Sequence, residues 1–189
     1  MYAFLISTGV VALAEMGDKT QLLALLLAAR YQRPLPIILA ILVATIFNHA
    51  LAGLLGTMLA QWLSPTMLGW ILVVSFLAMA IWMLIPDSID DEVSTAPKYG
   101  VFLTTLLLFF LAEMGDKTQI ATVALAAEYQ AFVSVVLGTT LGMMLANVPA
   151  VFLGNKFAGA LPTQWVHRIV AGVFLLLAFA AASRLLWGE

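Results

Sequence analysis

The chain has 189 residues, of which 63% are hydrophobic and only 10% are charged, and its formal net charge is −2. A soluble domain carries about 25% charged residues, so the composition excludes an ordinary soluble protein and predicts an integral membrane protein in a lipid bilayer. Cysteine is absent, which excludes disulfides, thiolate metal sites and cysteine nucleophiles, and no basic patch indicates nucleic acid as a partner.

Six apolar segments of about 20 residues or more are long enough to cross a bilayer as helices. They are expected near residues 3–29, 35–60, 66–85, 101–127, 131–157 and 166–187. The stretch at 86–100 is polar and includes Asp90, Asp91 and Glu92, so we interpret it as a linker. The predicted fold is therefore all-α, with a three-helix unit at 1–85 and another at 101–189.

One octapeptide, Ala-Glu-Met-Gly-Asp-Lys-Thr-Gln, occurs at 14–21 and again at 112–119. The same offset of 98 residues relates Gly56 to Gly154, so the similarity extends beyond the octapeptide. We interpret the two units as duplicated repeats. Because each has three helices, an odd number, the second enters the membrane from the opposite side. This predicts an inverted-topology repeat, an arrangement that builds transporter sites near the bilayer midplane.

Basic residues outside the predicted spans indicate the orientation. With the N-terminus outside, five of them are cytoplasmic: Arg30, Arg33, Lys98, Lys156 and Arg168. Only Arg184 then lies outside, so the positive-inside rule favours both termini on the outer face.

Each octapeptide places two carboxylates and one lysine within an apolar segment, where each charge costs several kcal/mol unless it is paired or coordinated. In a continuous helix, residues three and four positions apart share a face, so the three charges of each copy are expected to project together. The two sets are Glu15, Asp18 and Lys19, and Glu113, Asp116 and Lys117. We expect Gly17 and Gly115 to let a backbone or an ion approach closely.

Four carboxylates and two ammonium groups would leave a net charge of −2 where the two units meet. One divalent cation or two protons would neutralise that charge, and four ionised carboxylates cannot share an empty site of low dielectric constant. Metal and protons are therefore predicted to be alternative occupants. We expect Glu15 and Glu113 to carry the protons.

The predicted ligand set contains only oxygen atoms. Beyond the four carboxylates, the candidates are the hydroxyls of Thr20 and Thr118 and the amides of Gln21 and Gln119. Oxygen ligands suit Mn²⁺, Ca²⁺ and Mg²⁺, whereas zinc and copper usually recruit Cys or several His. The thioethers of Met16 and Met114 are expected to point away from this face and to pack.

Two copies of Glu-x-Gly-Asp-Lys/Arg-Thr/Ser in duplicated three-helix halves resemble the calcium/cation antiporter-2 family. This family includes Golgi manganese/calcium exchangers and bacterial manganese exporters. The resemblance covers essentially the whole chain, and neither motif departs from the pattern. It implies a cation–proton antiporter, not an enzyme, with Mn²⁺ or Ca²⁺ as the transported substrate and no resident cofactor. The functional positions that it implies are Glu15, Asp18, Lys19, Thr20, Glu113, Asp116, Lys117 and Thr118.

The chain has no long N-terminal extension, so we expect a bacterial plasma-membrane protein. Lys19 and Lys117 could neutralise the empty site or act in gating, and each could instead form an ion pair with the glutamate four residues before it. Three polar residues within spans two and five could line a cavity that leads to the ion site, or they could form hydrogen bonds between helices. They are Asn48, His49 and Asn147. Pro149 could break span five.

Three other functions remain open at this stage. A passive divalent-cation channel would need no pH gradient, and an amino-acid exporter of similar build would respond to amino acids. A metal-dependent intramembrane enzyme is the third, although no obvious nucleophile or phosphate clamp supports it. The oligomeric state is open.

Overall fold

The computed structural model describes residues 1–84, 100–153 and 163–187. These residues form eight helices and no strand, which confirms the all-α class. The helices are α1 (Tyr2–Ala14), α2 (Lys19–Tyr31), α3 (Pro34–Trp62), α4 (Pro65–Trp82), α5 (Gly100–Glu113), α6 (Lys117–Tyr129), α7 (Phe132–Leu153) and α8 (Thr163–Trp187). The predicted linker, apart from Gly100, lies outside the described residues, as do Gly154, Lys156 and the end of span five.

Within the described ranges, three helices are long and apolar enough to cross a membrane, namely α3, α4 and α7. The first two begin at Pro34 and Pro65, where proline is tolerated because the first helical N–H needs no partner. Their bounds agree with the predicted spans at 35–60 and 66–85. Shorter apolar helices are α1, α5 and the Ala171–Trp187 part of α8.

The prediction that 3–29 and 101–127 are continuous helices is wrong. Each is interrupted within the octapeptide, between α1 and α2 and again between α5 and α6. Gly17 and Gly115 have φ angles of 82° and 75°, a left-handed conformation that glycine adopts without the steric cost of a Cβ atom. This conformation stops the helical hydrogen-bond pattern. The octapeptides are therefore helix breaks, each flanked by two half-helices.

The predicted break at Pro149 is also wrong. Helix α7 continues from Phe132 to Leu153 with Pro149 inside it. Proline within a membrane helix is tolerated when neighbouring groups satisfy the freed backbone carbonyls. The irregular backbone in this region is thus at the octapeptide glycines and not at the proline.

The first half-helix of each broken segment packs against a long helix: α1 contacts α7, and α5 contacts α3. A Cβ atom on Gly142 of α7 would lie 2.6 Å from the carbonyl oxygen of Thr8, so glycine is needed for this close approach. The position 98 residues earlier is Ala44, another small residue, which is fully buried in α3. These contacts bring the two helix breaks into the same region of the protein.

Candidate cation site at the two helix breaks

The helix breaks set the position of each acid. Glu15 follows the last residue of α1, and its N–H still donates to the Val11 carbonyl at 3.0 Å. Asp18 is the N-cap of α2, where its side chain accepts a bond from the Thr20 N–H at 3.4 Å. Asp116 holds the same position before α6. A carboxylate is favourable there because the first N–H groups of a helix lack helical partners.

The expectation that the acids and the lysine of one motif project from a single helical face is wrong. Glu15 belongs to the end of one half-helix, whereas Asp18 and Lys19 belong to the beginning of the next. The expected role of the glycines in close approach also needs correction at Gly115, since a Cβ atom there would meet nothing within 4 Å. Glycine is required at that position for its backbone conformation.

Carboxylates from both motifs nevertheless converge. One carboxylate oxygen from each of Glu15, Glu113 and Asp116 lies within 4.8 Å of the other two. Both glutamates are completely buried, and Asp116 is 2% exposed. Asp18 is equally buried, and its Oδ2 lies 3.4 Å from the Thr20 hydroxyl, which also contacts Glu15. The structure thus brings together the four acids that the sequence singled out.

One threonine in each motif holds the glutamate of the same motif across the break. The Thr20 hydroxyl donates to Glu15 Oε2 at 2.6 Å, and the Thr118 hydroxyl donates to Glu113 Oε2 at 3.2 Å. Among the described residues, no hydrogen-bond donor reaches Glu15 Oε1, Glu113 Oε1 or Asp116 Oδ2, and all three atoms are buried. A buried acceptor without a partner is costly. These three oxygens are therefore available to a cation or a proton.

The glutamine at the end of each octapeptide forms a hydrogen bond with the backbone of the helix break. Gln21 Oε1 accepts from the Gly17 N–H at 2.8 Å, and Gln119 Oε1 accepts from the Gly115 N–H at 2.7 Å. Gln21 Nε2 also donates to the Ala146 carbonyl of α7 at 3.0 Å. Each amide therefore satisfies a backbone donor that the helix break leaves without a helical partner. Their role as metal ligands stays a prediction.

The lysines make ion pairs that run from one motif to the other. Lys19 Nζ lies 3.1 Å from Asp116 Oδ1, and Lys117 Nζ lies 4.0 Å from Asp18 Oδ1. Lys19 consequently does not take the alternative pairing with Glu15, the glutamate four residues before it. Sequence spacing could not show this pairing, because it depends on how α1 and α2 pack against the second unit.

Asn48, His49 and Asn147 are all completely buried. Asn48 Nδ2 donates to the carbonyl of Phe110, three residues before Glu113, so it bonds between α3 and α5. Asn147 Nδ2 donates within its own helix, at 3.1 Å to the Met143 carbonyl. Both ring nitrogens of His49 are without a hydrogen-bond partner in the described part of the chain. That these side chains line the cation pathway stays a prediction.

A cavity of about 370 Å³ lies beside the first break, between α1, α2 and α7. Apart from Gln21, its lining is apolar and includes Met16 and Pro149. Met114, the equivalent of Met16, is 57% exposed. An apolar lining suits side-chain packing better than a hydrated cation, so this cavity is distinct from the carboxylate cluster.

Two further buried hydroxyls were missed by the sequence interpretation. Ser7 and Thr105 occupy equivalent positions at the offset of 98 residues, in α1 and α5. Both are fully buried, and neither side-chain oxygen has a hydrogen-bond partner among the described residues. The repeat offset, applied to polar residues outside the octapeptides, is the signal that would have found them.

Comparisons with known proteins identify the family of the chain. A family model described as "Divalent cation/proton antiporter GDT1" matches residues 3–91 and 101–186. The chain is 55% identical over 183 residues to a Vibrio cholerae protein named "Putative manganese exporter", a match that covers 96% of this chain and 91% of that protein. It is 30% identical over 209 residues to "GDT1-like protein sll0615" of Synechocystis, covering 93% and 94%. "GDT1-like protein 4" of Oryza sativa subsp. indica is 27% identical over 208 residues, covering 96% and 72%. No solved structure matches the chain.

Proposed function

Because the chain belongs to the GDT1 family of divalent cation/proton antiporters, we propose that it exports Mn²⁺ from the bacterial cytoplasm in exchange for protons. The family is one of transporters and the Vibrio cholerae relative is named as an exporter, so the hypothesis of an intramembrane enzyme is set aside. The name of the Vibrio cholerae relative supports Mn²⁺ as the substrate. Ca²⁺ is a second candidate, since it shares the preference for oxygen ligands.

The cluster of buried carboxylates carries the proposal. Glu15, Glu113 and Asp116 come from both motifs and approach within 4.8 Å, and each has one oxygen without a hydrogen-bond partner in the described residues. With Asp18, four carboxylates face two lysines, which leaves a charge of −2 when all six groups are ionised. One divalent cation neutralises that charge, and so do two protons. The two occupants therefore exclude each other by charge as well as by space.

We assign the metal first to the three clustered carboxylates. Further proposed ligands are Asp18, Thr20, Thr118, Gln21 and Gln119. The two amide oxygens already accept one backbone hydrogen bond each, but a carbonyl oxygen has a second lone pair. A set of carboxylate, hydroxyl and amide oxygens suits Mn²⁺.

The proton carriers in this scheme are Glu15 and Glu113. Both are ionised while the metal is bound, because their oxygens neutralise its charge. After the metal leaves, a proton on each glutamate replaces the lost positive charge. The threonine hydroxyl that donates to each glutamate can keep its bond in either state, so Thr20 and Thr118 hold the carboxyl groups in place throughout the cycle.

The membrane arrangement is also proposed as six crossings in two inverted repeats, with both termini outside. In this arrangement α1 with α2 forms one crossing, and α5 with α6 forms another, each broken at its glycine. Residues 2–31 form about 45 Å of broken helix, more than the roughly 30 Å of a bilayer core. The reciprocal packing of α1 on α7 and of α5 on α3 supports this arrangement. Broken helices at midplane sites are a common feature of such transporters.

A flux assay in sealed proteoliposomes tests the function. With an acidic lumen, outward proton flow should drive Mn²⁺ into the vesicles, and collapse of the pH gradient by an ionophore should stop net uptake. Ca²⁺ and Mg²⁺ are compared under the same gradient, and protein-free vesicles give the leak. Mn²⁺ flux that is unaffected by the pH gradient would favour a passive channel. Proton flux stimulated by amino acids and not by metal would favour an amino-acid exporter.

A further inference from the structure

The two motif lysines are equivalent in sequence but not in environment. Lys19 Nζ lies 3.1 Å from Asp116 Oδ1, and its side chain is 31% exposed. Lys117 Nζ lies 4.0 Å from Asp18 Oδ1, and its side chain is 2% exposed. The first distance is that of a charge-assisted hydrogen bond, whereas the second is longer than a hydrogen bond. The site in this structure is therefore asymmetric.

Asp116 connects this asymmetry to cation binding. Its Oδ1 contacts Lys19, and its Oδ2 has no hydrogen-bond partner in the part of the chain that the structure describes. The same aspartate completes the three-acid cluster with Glu15 and Glu113. Lys19 and a cation in that cluster would consequently both be attracted to the negative charge of Asp116.

We infer that Lys19 is a tethered cation that competes with the transported metal for Asp116, and that the site also has a mirrored form in which Lys117 competes for Asp18. This inference rests on the proposed function. The offset of 98 residues exchanges Lys19 with Lys117 and Asp116 with Asp18, so each contact has an equivalent in the other repeat. Glu15 and Glu113 are shared by both forms, and the third carboxylate alternates.

The difference in exposure between the two lysines indicates on which side metal enters and leaves the site in each form. A metal that enters the three-acid cluster must displace the Lys19 ammonium from Asp116, and the partly exposed side chain has room to leave. Lys117 is enclosed and has no such exit in this form. Metal therefore exchanges on the Lys19 side here, and on the Lys117 side in the mirrored form.

The binding test uses the full chain in detergent, with Mn²⁺ affinity measured by calorimetry at one pH. Lys19→Met removes the ammonium and keeps a long side chain, so it should tighten Mn²⁺ binding about tenfold, the scale of one hydrogen bond to a charged group. Lys117→Met should tighten binding less, because its partner Asp18 is not one of the three clustered acids. Lys19→Arg retains the charge and should stay near the parent affinity. Arg33→Met, which removes a positive charge from a loop outside the site, should change nothing.

A double-mutant cycle separates direct competition from a general charge effect. In an Asp116→Asn background, Lys19→Met should produce little further change, because the shared carboxylate is already gone. A tightening that persists in full in this background overturns the inference. An affinity in Lys19→Met that is equal to or weaker than that of the parent overturns it as well.

A second measurement uses the unsubstituted chain and does not depend on whether a variant folds. Labelling by a small amine-reactive reagent, read by mass spectrometry, should increase severalfold at Lys19 when Mn²⁺ is added, because the displaced ammonium becomes accessible. Unchanged or reduced labelling of Lys19 counts against displacement. If the unsubstituted chain binds no Mn²⁺, the proposed function itself fails. If it binds and exchanges Mn²⁺ while both lysine tests fail, only this inference is lost.

Discussion

Lys19 Nζ lies 3.1 Å from Asp116 Oδ1, so the first octapeptide makes a direct ion pair with the second. The two motifs are far apart in sequence but share one buried group of acids. They therefore contribute to one cluster of carboxylates and not to two separate clusters. A substitution in either motif should alter the same binding event.

The first prediction concerns the glutamates. Glu15→Gln and Glu113→Gln should each abolish Mn²⁺/proton exchange while the protein remains inserted, because the amide retains the shape and loses the charge. The loss should exceed the tenfold to hundredfold that is typical for changes to groups that only support metal ligands. Exchange in proteoliposomes measures it. The control is Glu128→Gln, which removes a carboxylate paired with Arg184 away from the site and should leave exchange intact. Near-normal transport in both motif variants would contradict a shared site.

The second prediction concerns the helix break. Gly115→Ala should destabilise the protein by about 1–2 kcal/mol, the cost of a left-handed conformation for a residue with a Cβ atom. The space around Gly115 is open, so the effect is conformational and not a clash. Thermal unfolding in detergent measures it. Gly9→Ala is the matched control, because Gly9 lies inside α1 with open space around it, and alanine there should be neutral or stabilising. Equal effects in the two variants would show that the break does not depend on glycine.

The third prediction concerns Thr20. Its hydroxyl donates to Glu15 Oε2 at 2.6 Å, so Thr20→Val leaves that oxygen without its threonine donor. We expect Mn²⁺ affinity to fall about tenfold, the lower end of the range for groups that support metal ligands. Thr20→Ser keeps the hydroxyl and should bind Mn²⁺ like the parent chain. Calorimetry on both variants provides the comparison, and a Thr20→Val variant that binds Mn²⁺ as tightly as the parent chain would contradict this role of the hydroxyl.

The fourth prediction concerns orientation. The absence of cysteine makes the chain suitable for labelling single introduced thiols. A cysteine at position 94, in the predicted cytoplasmic linker, should react with a membrane-impermeant reagent only after the inner face becomes accessible. A cysteine at Tyr2 should react in intact cells. Labelling at position 94 from outside intact cells would reverse the proposed topology.

The all-α class could be predicted from hydropathy, and the four acids that the structure brings together could be singled out because the octapeptide occurs in two identical copies. The helix breaks could not be read from hydropathy. An apolar run of about 27 residues looks continuous, and one glycine such as Gly17 is compatible with either a helix or a turn until its φ angle is known.

The cross-motif pairing could not be predicted from sequence for a different reason. Residue spacing describes neighbours within one helix, so it offered Glu15 as the only alternative partner of Lys19. The observed partner of Lys19 is Asp116, and that contact depends on packing between the two units. The hydrogen bonds of Gln21 could not be predicted for the same reason, since its amide contacts both the Gly17 N–H and the Ala146 carbonyl of α7.

Competition between metal and protons for this site is the central claim, and proton release on metal binding tests it most directly. Calorimetric titration of Mn²⁺ in buffers of different protonation enthalpy measures the number of protons released. Between about pH 6 and 8, a range in which buried carboxylates can titrate, Mn²⁺ binding should release protons, and its affinity should weaken as the pH falls. Proton release should diminish in Glu15→Gln and in Glu113→Gln. Binding of Mn²⁺ with no proton release anywhere in this range would contradict the exchange mechanism and favour a channel.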